Sequence, residues 1–464
     1  MKWFVAVVLF VAGVASGDVL DVAVLGLGGR VQLLLAECLK LKEATQREIR
    51  VVAVCDDFGQ KCLNDFIARL EREGSPWLAD YQQMFQSARF YADDEEGLQK
   101  LFQEHPKLDE VLITSANRRH LTHLNVALAN GCSNIFIEKP VVKSMEEWRA
   151  LPDTKGATIH VGLVLRYSTL AKLVDGALRE HREALGKLKK VTWWEHVKFG
   201  QTFTIMMMNW RRYRSLSGGF LVEKAIHDLD LALFFMEAAG VKPHSLSLTT
   251  NASHDLFKKS RQSEILARLL EDKALREKTE LWDRLSWQRT IDFVHLASGE
   301  IDWPSTVETF FKDFPGDDDF SHSDLVPDHH CVKAEIATAE GAQIAFELEV
   351  KANEFALASE REAHFVFEHG RVDLDIQYGK MVIDAPNIHV EKDLEVNNQR
   401  HAGGDTYVAH TILGTLPEGQ HAALFSDPEV QLSTLMALVS EEQAEKGDEG
   451  SVRLRQVGNE WMVE

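Results

Sequence analysis

The residues best suited to proton transfer are Glu223, His227 and Asp230, which follow one another at spacings of four and three. An apolar pattern of helical period runs through residues 220–236, and residues at such spacings share one helix face. A carboxylate is therefore expected one turn before the histidine. An imidazole held in this way suits a general base near neutral pH. The alternative is a histidine that is only satisfied within a polar helix face.

A second candidate site is the glycine-rich turn Gly26-Leu27-Gly28-Gly29-Arg30. It separates an apolar run at 19–25 from a helical pattern at 31–39, and a second apolar run at 49–55 ends on two acids. This is the layout of a dinucleotide-binding βαβ unit, in which glycines and a helix N-terminus accept a pyrophosphate. The third glycine position is Val31, so an ordinary βαβ turn stays open as the alternative.

The elements that must position these residues alternate between helix and strand patterns. Helical patterns and short apolar runs alternate at 60–73, 90–91, 95–104, 110–113, 120–130 and 134–137. Such alternation predicts a doubly wound, mostly parallel sheet with helices on both faces. Because ligands bind beyond the carboxyl ends of such strands, the loops 114–120 and 138–140 are expected to face a ligand.

These motifs and others further along the chain occur in the order found in one family. The chain resembles the glucose–fructose oxidoreductase / inositol dehydrogenase (Gfo/Idh/MocA) family of NAD(P)-dependent oxidoreductases. The matching pieces are the turn 26–30, Asp56, the loop 114–120, Glu138-Lys139-Pro140, Arg166-Tyr167, the run 218–230 and His401-Ala402-Gly403-Gly404-Asp405. The resemblance implies an α/β protein: an N-terminal Rossmann domain and a C-terminal α+β domain with an open, mostly antiparallel sheet.

The resemblance also implies catalytic roles for three residues. Lys139 is expected beside the nicotinamide and the substrate hydroxyl, where its charge lowers the pKa of that hydroxyl. His227 is expected to move the hydroxyl proton while Glu223 orients it. The family usually has aspartate at position 223, so this chain resembles a less-characterised branch and its substrate stays open.

Two further sets of residues follow from the resemblance. The cofactor-binding residues are expected to be Gly26, Gly28, Gly29, Arg30, Asp56, Asp57, Ser115, Asn117, His120, Glu138 and Lys139. The substrate-binding residues are expected to be Arg166, Tyr167, Trp210 and His227. The alternatives are a surface ion pair for Arg166 and a hydrophobic anchor for Trp210. Asp56 and Asp57 would repel a 2′-phosphate and favour NAD, whereas Arg30 could offset their charge and keeps NADP open.

The predicted domains are a Rossmann domain at 18–150 and a substrate-binding and oligomerisation domain at 151–464. Strand patterns in the second domain lie at 187–198, 332–353, 362–367, 371–374 and 380–383, and helical patterns at 406–413 and 428–445. The acidic, partly helical stretch 253–328 is predicted to be an insertion, with a lid or partner-binding role as the alternative. The segment 401–405 is either a loop that reaches the site or only a glycine-rich turn.

Residues 1–17 resemble a secretory signal, with Lys2, an apolar core and small residues before Asp18. A buried strand or an uncleaved anchor is the alternative. The sequence therefore predicts the secretory pathway or the extracellular space, or the periplasm in a bacterium. The five cysteines are odd in number and lack metal-ligand spacing, so they are expected to be buried apolar residues, with no metal site.

Charge excludes several partners. The 464 residues carry a net charge of −21, which repels nucleic acid and anionic lipid. The expected function is hydride transfer between NAD(P) and a sugar, cyclitol or related polyol, in a homodimer as is common in the family. Two alternatives stay open: an exported glycoside hydrolase of the same fold that retains NAD, and a secreted binding or matrix protein that lost turnover.

Overall fold

The computed structural model describes residues 19–154, 156–202, 210–256, 260–261, 264, 324–352, 359–394, 400–447 and 450–464. The predicted signal at 1–17 lies outside the described residues, as does most of the predicted insertion at 253–328.

The N-terminal part forms a six-stranded parallel sheet in the order β3-β2-β1-β4-β5-β6. Its strands are β1 (Val19–Leu25), β2 (Glu48–Cys55), β3 (Arg89–Tyr91), β4 (Glu110–Ile113), β5 (Asn134–Ile137) and β6 (Thr158–Val161). The helices between them are α1 (Gly29–Thr45), α2 (Gly59–Arg72), α3 (Leu78–Met84), α4 (Glu95–Glu104), α5 (Asn117–Ala129) and α6 (Met145–Arg149). The predicted Rossmann sheet is confirmed.

The strands of this sheet are apolar runs because helices cover both faces. Four consecutive residues of β4 are buried, as are the last four of β1. Strand β6 pairs with β5 in the same sheet, so the N-terminal sheet extends to Val161, beyond the boundary that the sequence placed at residue 150. Helix α3 was not predicted.

The C-terminal part forms a ten-stranded sheet in the order β14-β13-β12-β11-β7-β10-β9-β8-β15-β16. Its strands are β7 (Leu188–Val197), β8 (Pro243–Ser253), β9 (His329–Thr338), β10 (Gln343–Ala352), β11 (Glu360–Phe367), β12 (Arg371–Asp375), β13 (Lys380–Ala385), β14 (Ile388–Asp393), β15 (Val452–Val457) and β16 (Glu460–Val463). Strands β7 and β10 pair in parallel, and the other pairs of neighbours are antiparallel. The expected open, mostly antiparallel sheet is confirmed.

The described residues of the second part also form helices. They are α7 (Thr169–Leu185), α8 (Phe199–Thr202), α9 (Arg214–Ser217), α10 (Ile226–Ala238), α11 (Gly404–Ile412) and α12 (Pro428–Lys446). Burial alternates along β7 and β10, as it does in a strand with one face in the core. Helix α10, preceded by the π-helical turn Leu221–Ala225, is buried along almost its whole length.

The C-terminal segment returns to the first domain. Helix α11 packs on α1, and the Cys38 thiol contacts the Ala409 carbonyl at 3.8 Å. Arg47 donates to the Leu413 carbonyl at 2.5 Å. All five cysteines are free. No helix within the described residues is long and apolar enough to cross a membrane.

Candidate active site

The glycine turn and the exit of β4 lie side by side, where the strand order of the first sheet reverses between β1 and β4. Gly26 has φ +96°, and a Cβ there would lie 2.3 Å from the Ser115 Cα, so only glycine fits. A Cβ at Gly28 or Gly29 would meet nothing within 4 Å. Gly28 is the N-cap of α1 and supplies no side-chain cap. The open helix N-terminus therefore fits a pyrophosphate. We call Gly26, Gly28, Gly29, Asp56 and Ser115 the cofactor crevice.

Asp56 ends β2 next to this turn. Its carboxylate accepts hydrogen bonds from the Leu27 amide at 2.8 Å and the Phe58 amide at 2.7 Å, one on each oxygen. Each oxygen keeps acceptor capacity for a ribose hydroxyl. Asp57 accepts from the Asp93 amide at 2.8 Å and so holds the exit of β3.

Arg30 connects the turn to two other loops. Its Nε donates to Glu138 at 2.8 Å and its Nη1 to Asp405 at 2.5 Å, while its buried Nη2 has no partner among the described residues. Burial opposes the charge of Arg30, but the two carboxylates outweigh it and raise its pKa. Asp405 also accepts from His401 Nδ1 at 3.1 Å. The segment 401–405 therefore reaches the cofactor turn and is more than a glycine-rich turn before a helix.

The positions of Lys139 and Glu223 are defined by contacts to each other. Lys139 Nζ lies 3.2 Å from Glu223 Oε2 and also donates to the Glu223 carbonyl. Arg211 Nε donates to Oε2 at 3.2 Å, and Asn117 Nδ2 donates to Oε1 at 2.5 Å. Burial opposes ionisation of Glu223, but the charges of Lys139 and Arg211 hold its pKa at about 2. We call Lys139, Asn117, Arg211, Glu223 and His227 the catalytic cluster.

His227 does not pair with Glu223. Its Nδ1 is buried and has no hydrogen-bond partner among the described residues, whereas the ring as a whole is partly exposed through its Nε2 side. The reason lies in the turn Leu221–Ala225, which is π-helical, so the α-helical spacing that predicted the pair does not apply. Burial, followed by the charges of Lys139 and Arg361, lowers the pKa of His227 well below its ordinary value.

Four buried charges lie behind His227, and the sequence did not indicate them as a group. Lys224 Nζ lies 2.8 Å from Glu195, Arg361 contacts both Glu195 and Asp228, and Trp193 Nε1 donates to Asp228 at 2.8 Å. Glu195 and Arg361 are direct neighbours across β7 and β11. Burial raises the pKa of Asp228 well above its ordinary value, whereas the charges of Arg361 and Lys224 outweigh burial at Glu195 and hold its pKa at about 2.

Two residues expected to contact the cofactor are buried within the protein instead. Asn117 is 3% exposed and donates to Glu223 and to the Ser217 carbonyl. His120 is 1% exposed and lies between the Pro140 carbonyl at 2.6 Å and the Ser115 carbonyl at 3.0 Å. His120 joins the loops that carry Ser115 and Lys139, and Asn117 joins the first of these loops to Ser217 and Glu223. Both therefore position the site rather than line it.

Arg166 and Tyr167, expected to bind substrate, are also structural. Arg166 is 3% exposed and bonds Asp230 at 2.5 and 2.9 Å. Tyr167 is fully buried, and its hydroxyl donates to the Val161 carbonyl at 3.1 Å. Trp210 is partly exposed, and Arg211 lies over its ring at 4.3 Å, so Trp210 stays next to the catalytic cluster.

Family models match both parts of the chain. The model described as "Oxidoreductase family, NAD-binding Rossmann fold" (GFO_IDH_MocA) matches residues 20–162. The model described as "Oxidoreductase family, C-terminal alpha/beta domain" matches residues 181–273. A search of curated protein sequences finds no match.

Solved structures with a similar fold cover nearly the whole chain. A levoglucosan dehydrogenase in complex with NADH and L-sorbose has a TM-score of 0.59 at 14% identity, covering 95% of this chain and 100% of its own. An inositol dehydrogenase homolog complexed with NAD+ from Azotobacter vinelandii has a TM-score of 0.56 at 12% identity, covering 94% and 97%. An aldose-aldose oxidoreductase from Caulobacter crescentus complexed with glycerol has a TM-score of 0.54 at 14% identity, covering 95% and 100%. These likenesses show the fold.

Proposed function

The chain belongs to the Gfo/Idh/MocA oxidoreductase family, and from this premise we propose that it is an NAD-dependent oxidoreductase acting on a sugar, cyclitol or related polyol. The observation that carries the proposal is the catalytic cluster, in which Lys139 Nζ lies 3.2 Å from the buried Glu223 carboxylate. Burial, followed by the charge of Lys139, lowers the pKa of the neighbouring His227. The sugar and polyol complexes among the structural neighbours support the substrate class.

The cofactor crevice fits NAD. The uncapped N-terminus of α1 would hold the pyrophosphate, and Asp56 would accept hydrogen bonds from ribose hydroxyls. Its carboxylate would repel a 2′-phosphate, which favours NAD over NADP. When bound, NAD supplies a nicotinamide ring that accepts or returns hydride.

The residues of the catalytic cluster divide the proton chemistry. Lys139 places a positive charge at the substrate oxygen and lowers the pKa of the hydroxyl. The accessible Nε2 of neutral His227 takes the hydroxyl proton as the C–H bond breaks, and returns it in the reverse direction. Glu223 stays ionised and fixes Lys139 and Arg211 in place.

Location and assembly are part of this proposal. We infer that the chain is exported, because residues 1–17 have a positive start, an apolar core and a small-residue end. We also infer a homodimer, as is common in the family. Size-exclusion chromatography with light scattering tests the assembly, and N-terminal sequencing of the secreted protein tests cleavage after residue 17.

The test of function begins with protein purified without added nucleotide. The protein is denatured, and the supernatant is analysed for NAD and NADP by mass spectrometry. Protein that carries no nucleotide is then titrated with NAD and, separately, with NADP. A panel of sugars, cyclitols and polyols is then followed by NADH absorbance, with Lys139→Met as the matched inactive control. NAD-dependent turnover that the control lacks is expected. Failure to hold or bind either nucleotide would overturn the proposal.

A further inference from the structure

A buried chain of hydrogen bonds ends at Ser115 in the cofactor crevice. The Ser115 hydroxyl lies 3.0 Å from His123 Nδ1, and His123 Nε2 lies 2.8 Å from Asp93 Oδ1. His123 is fully buried, while Ser115 is partly exposed. Arg119 binds the Asp93 carboxylate at 2.8 Å from Nη2, and Asp57 accepts from the Asp93 amide. The chain therefore joins the exits of β2, β3 and β4.

The order of the partners fixes where each proton lies. Asp93 is ionised, since the hydrogen bonds of His123 and Arg119 outweigh burial and lower its pKa. A carboxylate only accepts, so His123 Nε2 must carry the ring proton. In a neutral imidazole the other nitrogen, Nδ1, is then an acceptor. Because Ser115 is the partner of Nδ1, the neutral form of His123 draws the hydroxyl proton inward and leaves only oxygen lone pairs for the crevice.

We propose that Asp93 and His123 are positioning residues that make Ser115 a hydrogen-bond acceptor for a ribose hydroxyl of the dinucleotide. The proposal rests on the NAD-dependent function above. A serine with a free proton could serve a phosphate oxygen equally well. With its proton committed to His123, Ser115 favours a hydroxyl donor and opposes a phosphate. The buried pair thus sets what the crevice accepts without touching the ligand.

A metal ion is the competing use of these groups. Cys55, Asp93 and His123 offer ligand atoms that lie within 4.8 Å of one another. The guanidinium of Arg119, however, already takes both oxygens of Asp93. Burial, with the Asp93 charge, also raises the pKa of the Cys55 thiol to about 12, which disfavours the thiolate that a metal requires. The hydrogen-bonded chain is therefore the better account.

A double-mutant cycle on NAD affinity tests the proposal. The variants are Ser115→Ala, His123→Leu and the double variant, each titrated with NAD by calorimetry beside the wild type. Leucine fills most of the volume of the ring and leaves Asp93 paired with Arg119. His330→Leu is the matched control, because His330 is equally buried but lies in β9 of the second domain. Thermal unfolding checks that each variant is folded.

Each single variant is expected to weaken NAD binding about fivefold, as the loss of one hydrogen bond does. The double variant is expected to bind no more weakly than Ser115→Ala, because the two residues act as one unit. His330→Leu should bind as the wild type does. Should the two losses multiply, or should His123→Leu keep wild-type affinity, the proposal is overturned. A wild type that binds no nucleotide is a different result, since it overturns the proposed function before any variant is made.

Discussion

The cofactor crevice and the catalytic cluster differ in the partners of their polar side chains. In the crevice, Asp56 bonds two backbone amides and Ser115 bonds a buried histidine. In the cluster, Glu223 is held by two cations and an amide, whereas Nδ1 of His227 has no partner among the described residues.

The difference follows from what each region must do. A cofactor that is only bound needs fixed acceptors and an open helix N-terminus, which the Asp56 carboxylate, the Ser115 hydroxyl and the uncapped start of α1 provide. A hydroxyl that loses a proton needs a nearby cation and a base that is not already protonated. Burial, together with the cations around His227, lowers its pKa and leaves the ring able to accept a proton. Mutations should separate the two regions, because binding depends on one and turnover on the other.

Lys139→Met should have the largest effect, and it should lower turnover without weakening NAD binding. Methionine keeps the length of the side chain but removes the charge that polarises the substrate oxygen. We expect kcat/KM to fall about a thousandfold, with NAD affinity within a few fold of wild type. Steady-state kinetics and NAD calorimetry on the same sample check this. An equal loss of both quantities would contradict the separation of the two regions.

His227→Asn should lower kcat about a hundredfold. The lowered pKa of His227 also gives the wild type a pH signature, because a base that stays neutral does not lose activity near its ordinary pKa of 6.5. We therefore expect the plot of kcat/KM against pH to show no inflection near pH 6.5 between pH 8 and 6.

The same shift predicts a change in stability of known sign. Below pH 6.5 the unfolded chain gains a proton at residue 227 that the folded chain does not bind, so folding is weakened as pH falls. Denaturant unfolding should show wild type losing about 1 kcal/mol relative to His227→Asn between pH 7 and 5.5. Parallel curves for the two proteins would contradict the lowered pKa.

Much of the fold was predictable from the sequence, and most of the strands that were not predicted have features that hide them. Strands β1 to β5 of the first sheet were predicted within a few residues, because parallel strands buried on both faces are continuous apolar runs. Strands β14, β15 and β16 were missed because they are short and largely exposed, so their few apolar residues give little signal even where they alternate with polar ones. Strand β8 was also missed, although leucines alternate with serines and a threonine at residues 245–249.

Some contacts of the site were also beyond prediction from the sequence. The resemblance had Glu223 orient His227, but Glu223 contacts Lys139 instead, because the π-helical turn Leu221–Ala225 changes the spacing. The pairing of Glu195 with Arg361 depends on the register of β7 against β11, which no local pattern reveals. The burial of Arg166 depends on Asp230, 64 residues away.

Glu223→Asp should have an intermediate effect that sharpens the comparison. One methylene less cannot reach Lys139, Arg211 and Asn117 together, although the charge that balances the two cations remains. We expect kcat/KM to fall about tenfold, as for a misplaced rather than a missing group, and NAD affinity to be unchanged. A loss as large as that of Lys139→Met would show that Glu223 takes part in proton transfer itself.

Tyr167→Phe should have the smallest effect. It tests whether Tyr167 contributes to the substrate site. Tyr167 is fully buried and its hydroxyl bonds the Val161 carbonyl, so the variant loses one internal hydrogen bond and about 1 kcal/mol of unfolding free energy. Because the side chain is fully buried and its hydroxyl bonds backbone carbonyls, kcat and KM for every polyol substrate should stay at wild-type values. Trp210→Ala is the matched comparison: Trp210 is partly exposed beside Arg211, and its loss should raise KM. A raised KM in Tyr167→Phe would place the tyrosine in the substrate site after all, as the family resemblance first implied.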